Sequence, residues 1–298
     1  MTLQFLRKVR LTASGSGASL MLNPGPVQRH EMKIAFDITK SISSQANAGS
    51  IRIWNLAESS RNAVGKELDD ITLEAGYLPP GGSGNVGIIF KGQMRDVEHT
   101  REGPDIITTL SCGDGDKAFR SATISKTYPA GTKVEDVVEG VYEELEKKGV
   151  SRGEWKFPDE AQPFRRPYSM CGGCKRELDT VGRSKGFYWS VQNGVMEVHP
   201  ADGYLSGLVP LISPQTGMID VPTITDNGVK VSCLLNPEIR PGRRVRIESQ
   251  VLEMNAEGGM YRVSEVIFSG GNHDEGDMRA AITAEAIKGG KVDQGVKP

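Results

Sequence analysis

Ser50-Ile-Arg-Ile-Trp-Asn-Leu56 opens a series that continues with Ile71-Thr-Leu-Glu-Ala75, Ile88-Ile-Phe-Lys-Gly-Gln-Met-Arg-Asp-Val97 and Ile106-Ile-Thr-Thr-Leu-Ser-Cys112. These stretches largely alternate apolar and polar residues, the pattern of a strand with one buried face. The series returns near the other end as Val229-Lys-Val-Ser-Cys-Leu-Leu235, Val245-Arg-Ile-Glu248, Met260-Tyr-Arg-Val-Ser-Glu-Val-Ile-Phe268 and Ala281-Ile-Thr-Ala-Glu-Ala286. Strand lengths, order and breaks correspond. Both times an acidic, glycine-containing loop precedes the last strand (Arg101-Glu-Gly-Pro-Asp105 and Asn272-His-Asp-Glu-Gly-Asp277). A four-strand module written twice hints at a symmetric assembly, because three subunits with two like modules each make a ring of six similar units.

Ahead of the first module, Leu3, Phe5, Val9 and Leu11 give an opening strand pattern. Met32, Ile34, Phe36 and Ile38 then share one face of another strand. Glu58 to Leu68 reads as a short helix, and Pro79-Pro-Gly-Gly-Ser-Gly84 as a hairpin tip. Between the modules the composition changes. Thr132-Lys-Val-Glu135 has the form of a capping box. Val134, Val137, Val138, Val141, Tyr142 and Leu145 then make one apolar helical face, closed by Gly149. A second helix is expected from Cys171 to Lys185. Asn193-Gly194, between Phe187–Val191 and Val195–Val198, predicts a type I′ hairpin. The expected organisation is therefore mainly β with an α/β insert: a first β module over 1–112, a small α/β domain over 113–205, a second β module over 206–288, and a flexible tail or arm over 289–298.

Composition excludes several classes. A net charge of −2 gives no reason to expect nucleic acid or an anionic membrane as a tight partner. No apolar run approaches the roughly 18 residues of a membrane span, and the first ten residues do not read as a signal peptide. Synthesis in the cytoplasm is the expectation. The four cysteines are too few for a disulfide scaffold. Cys112 and Cys233 fall in apolar strand patterns, and Cys171-Gly-Gly-Cys174 lacks the second ligand pair of a structural zinc site. Asp114-Gly-Asp116 and the cluster Asp274, Glu275, Asp277 have the oxygen ligands a divalent cation would need, but neither fits a calcium-loop pattern. No nucleophile elbow, Walker loop or dinucleotide fingerprint occurs. No catalytic, cofactor or metal residue is assigned. The cluster Arg240-Pro-Gly-Arg-Arg-Val-Arg246 has the form of a turn entering a strand, with alternate arginines outward, and fits salt bridges at an interface better than nucleic acid.

With these elements in place the chain resembles the baseplate hub, or tail-tip hub, proteins of tailed bacteriophages, a family similar to the trimeric head of type VI secretion spikes. The phrases that carry the resemblance are Phe36-Asp-Ile-Thr-Lys40, Ile51-Arg-Ile-Trp-Asn-Leu56, Leu73-Glu-Ala-Gly-Tyr77 and Phe90-Lys-Gly92 leading to Val97. They continue with Tyr128-Pro-Ala-Gly-Thr132, Gly186-Phe-Tyr-Trp189 through Val198-His-Pro200, Gly228-Val-Lys-Val-Ser-Cys-Leu-Leu-Asn-Pro237 and Ile239-Arg-Pro-Gly242. Each phrase is short; their order over residues 30–290 carries the weight. The resemblance implies that the two β modules are tail-tube-like β-barrels and that three chains form a pseudo-sixfold ring, with the α/β region outside it. It implies a virion structural protein that joins the hexameric tail tube to the trimeric spike and forms a conduit for genome and tape-measure protein during ejection. The implied partners are two further copies, tail tube or distal tail proteins, the central spike and the tape-measure protein. Genomic DNA would pass through the lumen without specific binding, and no membrane insertion is expected.

For such a ring, Ser50–Leu56 and Val229–Leu235 are the expected edge or interface strands. Arg52, Trp54 and Lys230 would meet a neighbour or the lumen, joined as interface candidates by Arg244 and Arg246. Two other classes compete. A tail-associated cell-wall hydrolase would carry carboxylates or a histidine in a cleft of 113–205, where His199 stands alone. A carbohydrate-binding adhesin would present aromatic platforms, for which Trp54, Trp155 and Trp189 are the tryptophans, and Trp189 reads as core.

Overall fold

The computed structural model describes residues 6–15, 17–28, 30–79, 84–159, 161–273 and 278–293. Its first part holds β1 (Arg7–Gly15), β2 (Ala18–Leu22), β3 (Ile34–Ser41), β4 (Ala48–Trp54), helix α1 (Glu58–Ala63), β5 (Asp70–Tyr77), β6 (Gly87–Glu102) and β7 (Asp105–Gly113). The middle holds α2 (Asp116–Ser121), β8 (Thr123–Tyr128), α3 (Val134–Glu146), β9 (Ser151–Trp155), β10 (Tyr168–Gly173), α4 (Cys174–Lys185), β11 (Phe187–Gln192) and β12 (Val195–Pro200). The last part holds β13 (Leu211–Ile212), β14 (Thr223–Thr225), β15 (Gly228–Leu234), β16 (Arg244–Ile247), β17 (Met260–Gly271), β18 (Arg279–Lys288) and β19 (Lys291–Val292). The protein is mainly β. The tail beyond 293, the tip residues 80–83 and the cluster Asp274, Glu275, Asp277 lie outside the described residues.

The two series of strands pair in the same order. β4 pairs β7, β7 pairs β6 and β6 pairs β5; likewise β15 pairs β18, β18 pairs β17 and β17 pairs β16. The strands before each series also correspond, since β3 flanks β4 as β14 flanks β15, and β1 flanks β5 as β13 flanks β16. They differ in one respect: β1 runs antiparallel to its partner and β13 parallel. Each third strand carries a bulge at the matching place, at Arg95 in β6 and Ser264 in β17. The series are fused because the far half of β17 pairs with β3, from Glu265↔Ser41 to Gly271↔Ala35. One open path of strands results, and no closed barrel is found among the described residues. The segment 211–225 reaches both sides of the second series. β13 pairs β16, while the Ile219 N–H donates to Ser232 O (2.9 Å) and the Leu234 N–H to Gly217 O (2.7 Å).

Alternation decides which side of this sheet is core. In β4, Gly49, Ile51 and Ile53 are buried and Ser50 and Arg52 exposed; in β15, Val229, Val231 and Cys233 are buried and Lys230 exposed. The buried sets of both series enter one hydrophobic cluster, with Phe36, Ile38, Phe90, Leu110, Tyr261 and Phe268 among its members. Neither β4 nor β15 is an edge, contrary to expectation: β4 lies between β3 and β7, and β15 between β14 and β18. Period-two alternation fixes the buried face of a strand, but two strands compete for the role of neighbour on each side, and their choice is long-range.

The middle segment has its own core of Val137, Val138, Val141, Leu178, Trp189, Met196 and others. The six apolar residues expected on one face of α3 are all buried. Its start departs from expectation. Lys133 is the cap residue, and no side chain caps the helix. The Thr132 hydroxyl instead donates to Pro129 O (2.8 Å), which commits it to the preceding turn. Helix α4 begins at Cys174, because residues 168–173 extend as β10 against β8. Asn193 and Gly194 have φ of 57° and 78°, as the I′ turn between β11 and β12 requires.

Candidate functional site

Residues directly opposed on neighbouring strands share a face, so the registers define rows across the non-core side of the fused sheet. One row runs Ser269, Asp37, Ser50, Ser111, Asp96; the next runs Ala35, Arg52, Thr109, Glu98. On the second series a row runs Thr223, Lys230, Thr283, Glu265 and crosses to Ser41. The face is built from hydroxyls with carboxylates and cations interspersed. Most of its charges are spread along the strands, while Lys230 and Glu265 line a depression of about 250 Å³ together with Asp220.

Arg52, Trp54 and Lys230 all stand on this face. Lys33 Nζ lies 4.3 Å and the Arg52 guanidinium 5.6 Å from the Trp54 ring centre, so the indole is a platform for two cations. Lys230 belongs to the other series and is separated from them by β18, β17 and β3. Arg244 and Arg246 flank buried Val245 on β16. Arg244 stacks on Tyr204 at 4.5 Å, and Arg246 pairs with Glu248 at 2.7 Å. Arg243, in the same cluster, turns inward and grips Glu197 with two hydrogen bonds of 3.0 and 2.7 Å.

How the middle segment is fastened to the sheet is not marked by any periodicity in the sequence. Asp114, fully buried, accepts the backbone N–H groups of Asn193 and Gly194, the latter at 2.8 Å. Asn47 donates to Val191 O (2.8 Å), and Lys40 donates to Asn193 Oδ1 (2.8 Å). Burial pushes the Asp114 carboxyl up to about 6, against the opposing pull of Lys40 and of its N–H donors. Burial likewise lowers the Lys40 ammonium to about 8. A second fastening centres on Arg262, which is 0% exposed. Its Nη1 donates to Ala201 O and Gly203 O, both at 2.7 Å, and its Nε to Glu285 at 2.9 Å. The sole sequence signal for the first joint was the Asp114-Gly-Asp116 phrase, and its carboxylates are committed to protein donors: Asp116 pairs with Arg95 (2.9 Å) and Arg120 (2.7 Å).

His199 lies within the second joint, 2% exposed. Burial, reinforced by the Arg262 charge, pushes its imidazole down to about 4. The unfolded chain binds this proton near pH 6.5. Between pH 6.5 and 4 the unfolded state therefore holds more protons, and stability falls as pH falls through that window. About 2 kcal/mol of the stability lost between pH 7 and pH 5 is expected to vanish in His199→Gln. Denaturant unfolding of both proteins at the two pH values measures it; equal losses would refute the assignment. Cys171 is exposed and Cys174 buried on either side of the β10–α4 junction, and no metal-ligating group of three or more His, Cys, Asp or Glu occurs among the described residues. Trp189 is 3% exposed, in the core.

A family model described as baseplate hub gp41 matches residues 17–276. No curated protein matches the chain. Among solved structures, the fold is similar to a 43 kDa tail protein of prophage MuSo2 from Shewanella oneidensis, at TM-score 0.59 and 9% identity, covering 94% of this chain and 98% of that one. It is similar to a tail protein from Neisseria meningitidis MC58, at TM-score 0.61 and 11% identity over 93% and 96% of the two chains. It is also similar to the E. coli c3393 protein, described as a component of the type VI secretion system with structural similarity to the T4 tail proteins gp27 and gp5. That likeness has TM-score 0.59 and 12% identity, over 91% of this chain and 77% of that one. At such identities the likeness is one of fold.

Proposed function

This chain belongs to the baseplate hub gp41 family, and on that premise we propose that three copies close into a pseudo-sixfold ring at the tip of a phage tail. Residues 1–112 and 206–288 act as two tube-like β-barrel modules, and 113–205 decorates the ring. The ring joins a hexameric tail tube, or distal tail protein, to a trimeric central spike. It passes tape-measure protein and genome through its lumen during ejection. The protein is then a virion component, assembled in the host cytoplasm.

The observation that carries this reading is the recurrence of one strand order, with matched bulges, in two series fused side by side. Two like units related within a chain and three chains related by an axis make six like units. The polar face described above supplies an inner wall on which a nucleic acid slides, because carboxylates interspersed among the cations weaken phosphate capture. On this reading Arg52, Trp54, Lys230, Arg244 and Arg246 line the lumen or meet a neighbouring subunit.

Electron microscopy of the purified protein, alone and with tail extract, tests the ring. End-on views are expected to show threefold symmetry with near-sixfold inner density around a hole. A monomer that never enters a ring in tail extract overturns the proposal. Rings formed solely in extract uphold it and place trimerisation under a partner's control.

A further inference from the structure

The internal joint between β17 and β3 has a counterpart on the first series that is left open among the described residues. β17 pairs β16 as far as Arg262, passes its bulge at Ser264, and from Glu265 onward its edge is taken by β3. β6 follows the same course: it pairs β5 as far as Gln93, passes its bulge at Arg95, and continues to Glu102. No strand takes the edge of β6 beyond that bulge among the described residues. The Val97 N–H there is held by its neighbour's carboxylate, Asp96 Oδ1, at 2.9 Å. A groove of about 410 Å³ runs along this edge, lined by Arg61, Gly65, Asp69, Met94, Val97 and His99 among others. The strand that corresponds to β3 is β14, since Asp37 opposes Ser50 on β4 where Thr223 opposes Lys230 on β15. β14 ends the path, its outer edge unpaired among the described residues.

We propose that β14 of one copy pairs antiparallel with the far half of β6 of the next. This rests on the ring reading and names the strands that close it. The register transfers from the internal joint. Ile267↔Thr39, Phe268↔Ile38 and Ser269↔Asp37 become Glu98↔Thr225, His99↔Ile224 and Thr100↔Thr223. The occupant is a second copy of this chain because β14 lies at the end of the sheet path, with β15, β18, β17, β3, β4 and β7 between it and β6. The contact is also more polar than its internal counterpart. His99 stands where the internal joint has Phe268, and Glu98 where it has Ile267. Asp96, Glu98, Arg101 and Glu102 charge the open strand, which deters indiscriminate edge pairing while leaving one complementary partner.

Thr100 and Thr223 provide the test. Ile34 accepts from the Asn272 N–H across the β17 side. By alternation the peptide groups of Asp37 therefore face β4, and Ser269↔Asp37 is a non-hydrogen-bonded pair. Such pairs bring Cα atoms to about 4.5 Å, within disulfide reach. In a Cys171→Ser background of the full chain, Thr100→Cys with Thr223→Cys is expected to give a covalently closed trimer on oxidation. Each single variant, and the off-register Glu98→Cys with Thr223→Cys, is expected to stay uncrosslinked on non-reducing gels. Threefold rings in the microscope without in-register cross-links would overturn this pairing and leave the ring standing. A chain that remains monomeric with tail extract would overturn both.

Discussion

Asp114→Ala is expected to lower the unfolding free energy by about 3–5 kcal/mol, because it leaves a buried cation without its compensating charge and two buried backbone donors unsatisfied. The carboxylate is 0% exposed and favours the charged form of Lys40, itself 3% exposed and hydrogen-bonded to Asn193 rather than to Asp114. Its removal leaves the ammonium in a dry site and strands two backbone N–H groups, those of Asn193 and Gly194, for which no other acceptor occurs among the described residues. Two controls separate these contributions. Lys40→Met placed on Asp114→Ala recovers part of the loss by removing the orphaned charge. Asp114→Asn keeps an acceptor oxygen for the turn and loses less than Ala. Chemical denaturation reads all three. A change under about 1 kcal/mol in Asp114→Ala would show that the site relaxes into water, and would refute the joint.

Arg262→Met is the second large effect, again about 3–5 kcal/mol. The guanidinium serves Glu285, Ala201 O and Gly203 O at once from a fully buried position. A methionine fills the volume but supplies no donor, so a buried carboxylate and two carbonyls lose their partner together. Glu285→Leu added to Arg262→Met removes the orphaned anion and is expected to restore at least a third of the loss. Because Ala201 and Gly203 lie just past β12, limited proteolysis after residue 200 is expected to quicken in the single variant. Unchanged stability together with unchanged proteolysis would refute the role of Arg262 as a fastener.

The strands were legible in the sequence because each has one wet and one dry face, and Ser50, Arg52, Ile51 and Ile53 separate as cleanly in space as in the alternation. Helix α3 was legible for the same reason at period 3.6, and the Asn193-Gly194 turn because few residues tolerate φ > 0. Pairing was less so. That β3 closes on β17, and not on an edge of its own series, depends on residues some 230 positions apart. The Thr132 cap failed because a hydroxyl three residues past Pro129 has a carbonyl within reach before any helix exists. The Asp114 joint stayed hidden for a related reason. Its main partners are backbone N–H groups 79 and 80 residues on, and a peptide group leaves no mark on side-chain composition. Arg52, Trp54 and Lys230 lie on the non-core face that alternation predicts, but on interior strands rather than edges.

The β3–β17 joint also sets a timetable. β3 leaves the ribosome long before Glu265–Gly271 is made, and at 5–20 residues per second the wait is roughly 10–45 s. During that interval one side of β3 has no native neighbour, so the first half of the chain is born with a sticky flank. The middle segment, whose core draws on residues 118–198 alone, has every partner it needs while the ribosome is still working, and its compaction precedes closure of the sheet. The last strands to emerge therefore complete both halves at once, which makes nascent-chain length the variable that decides between a sealed subunit and an entangled one.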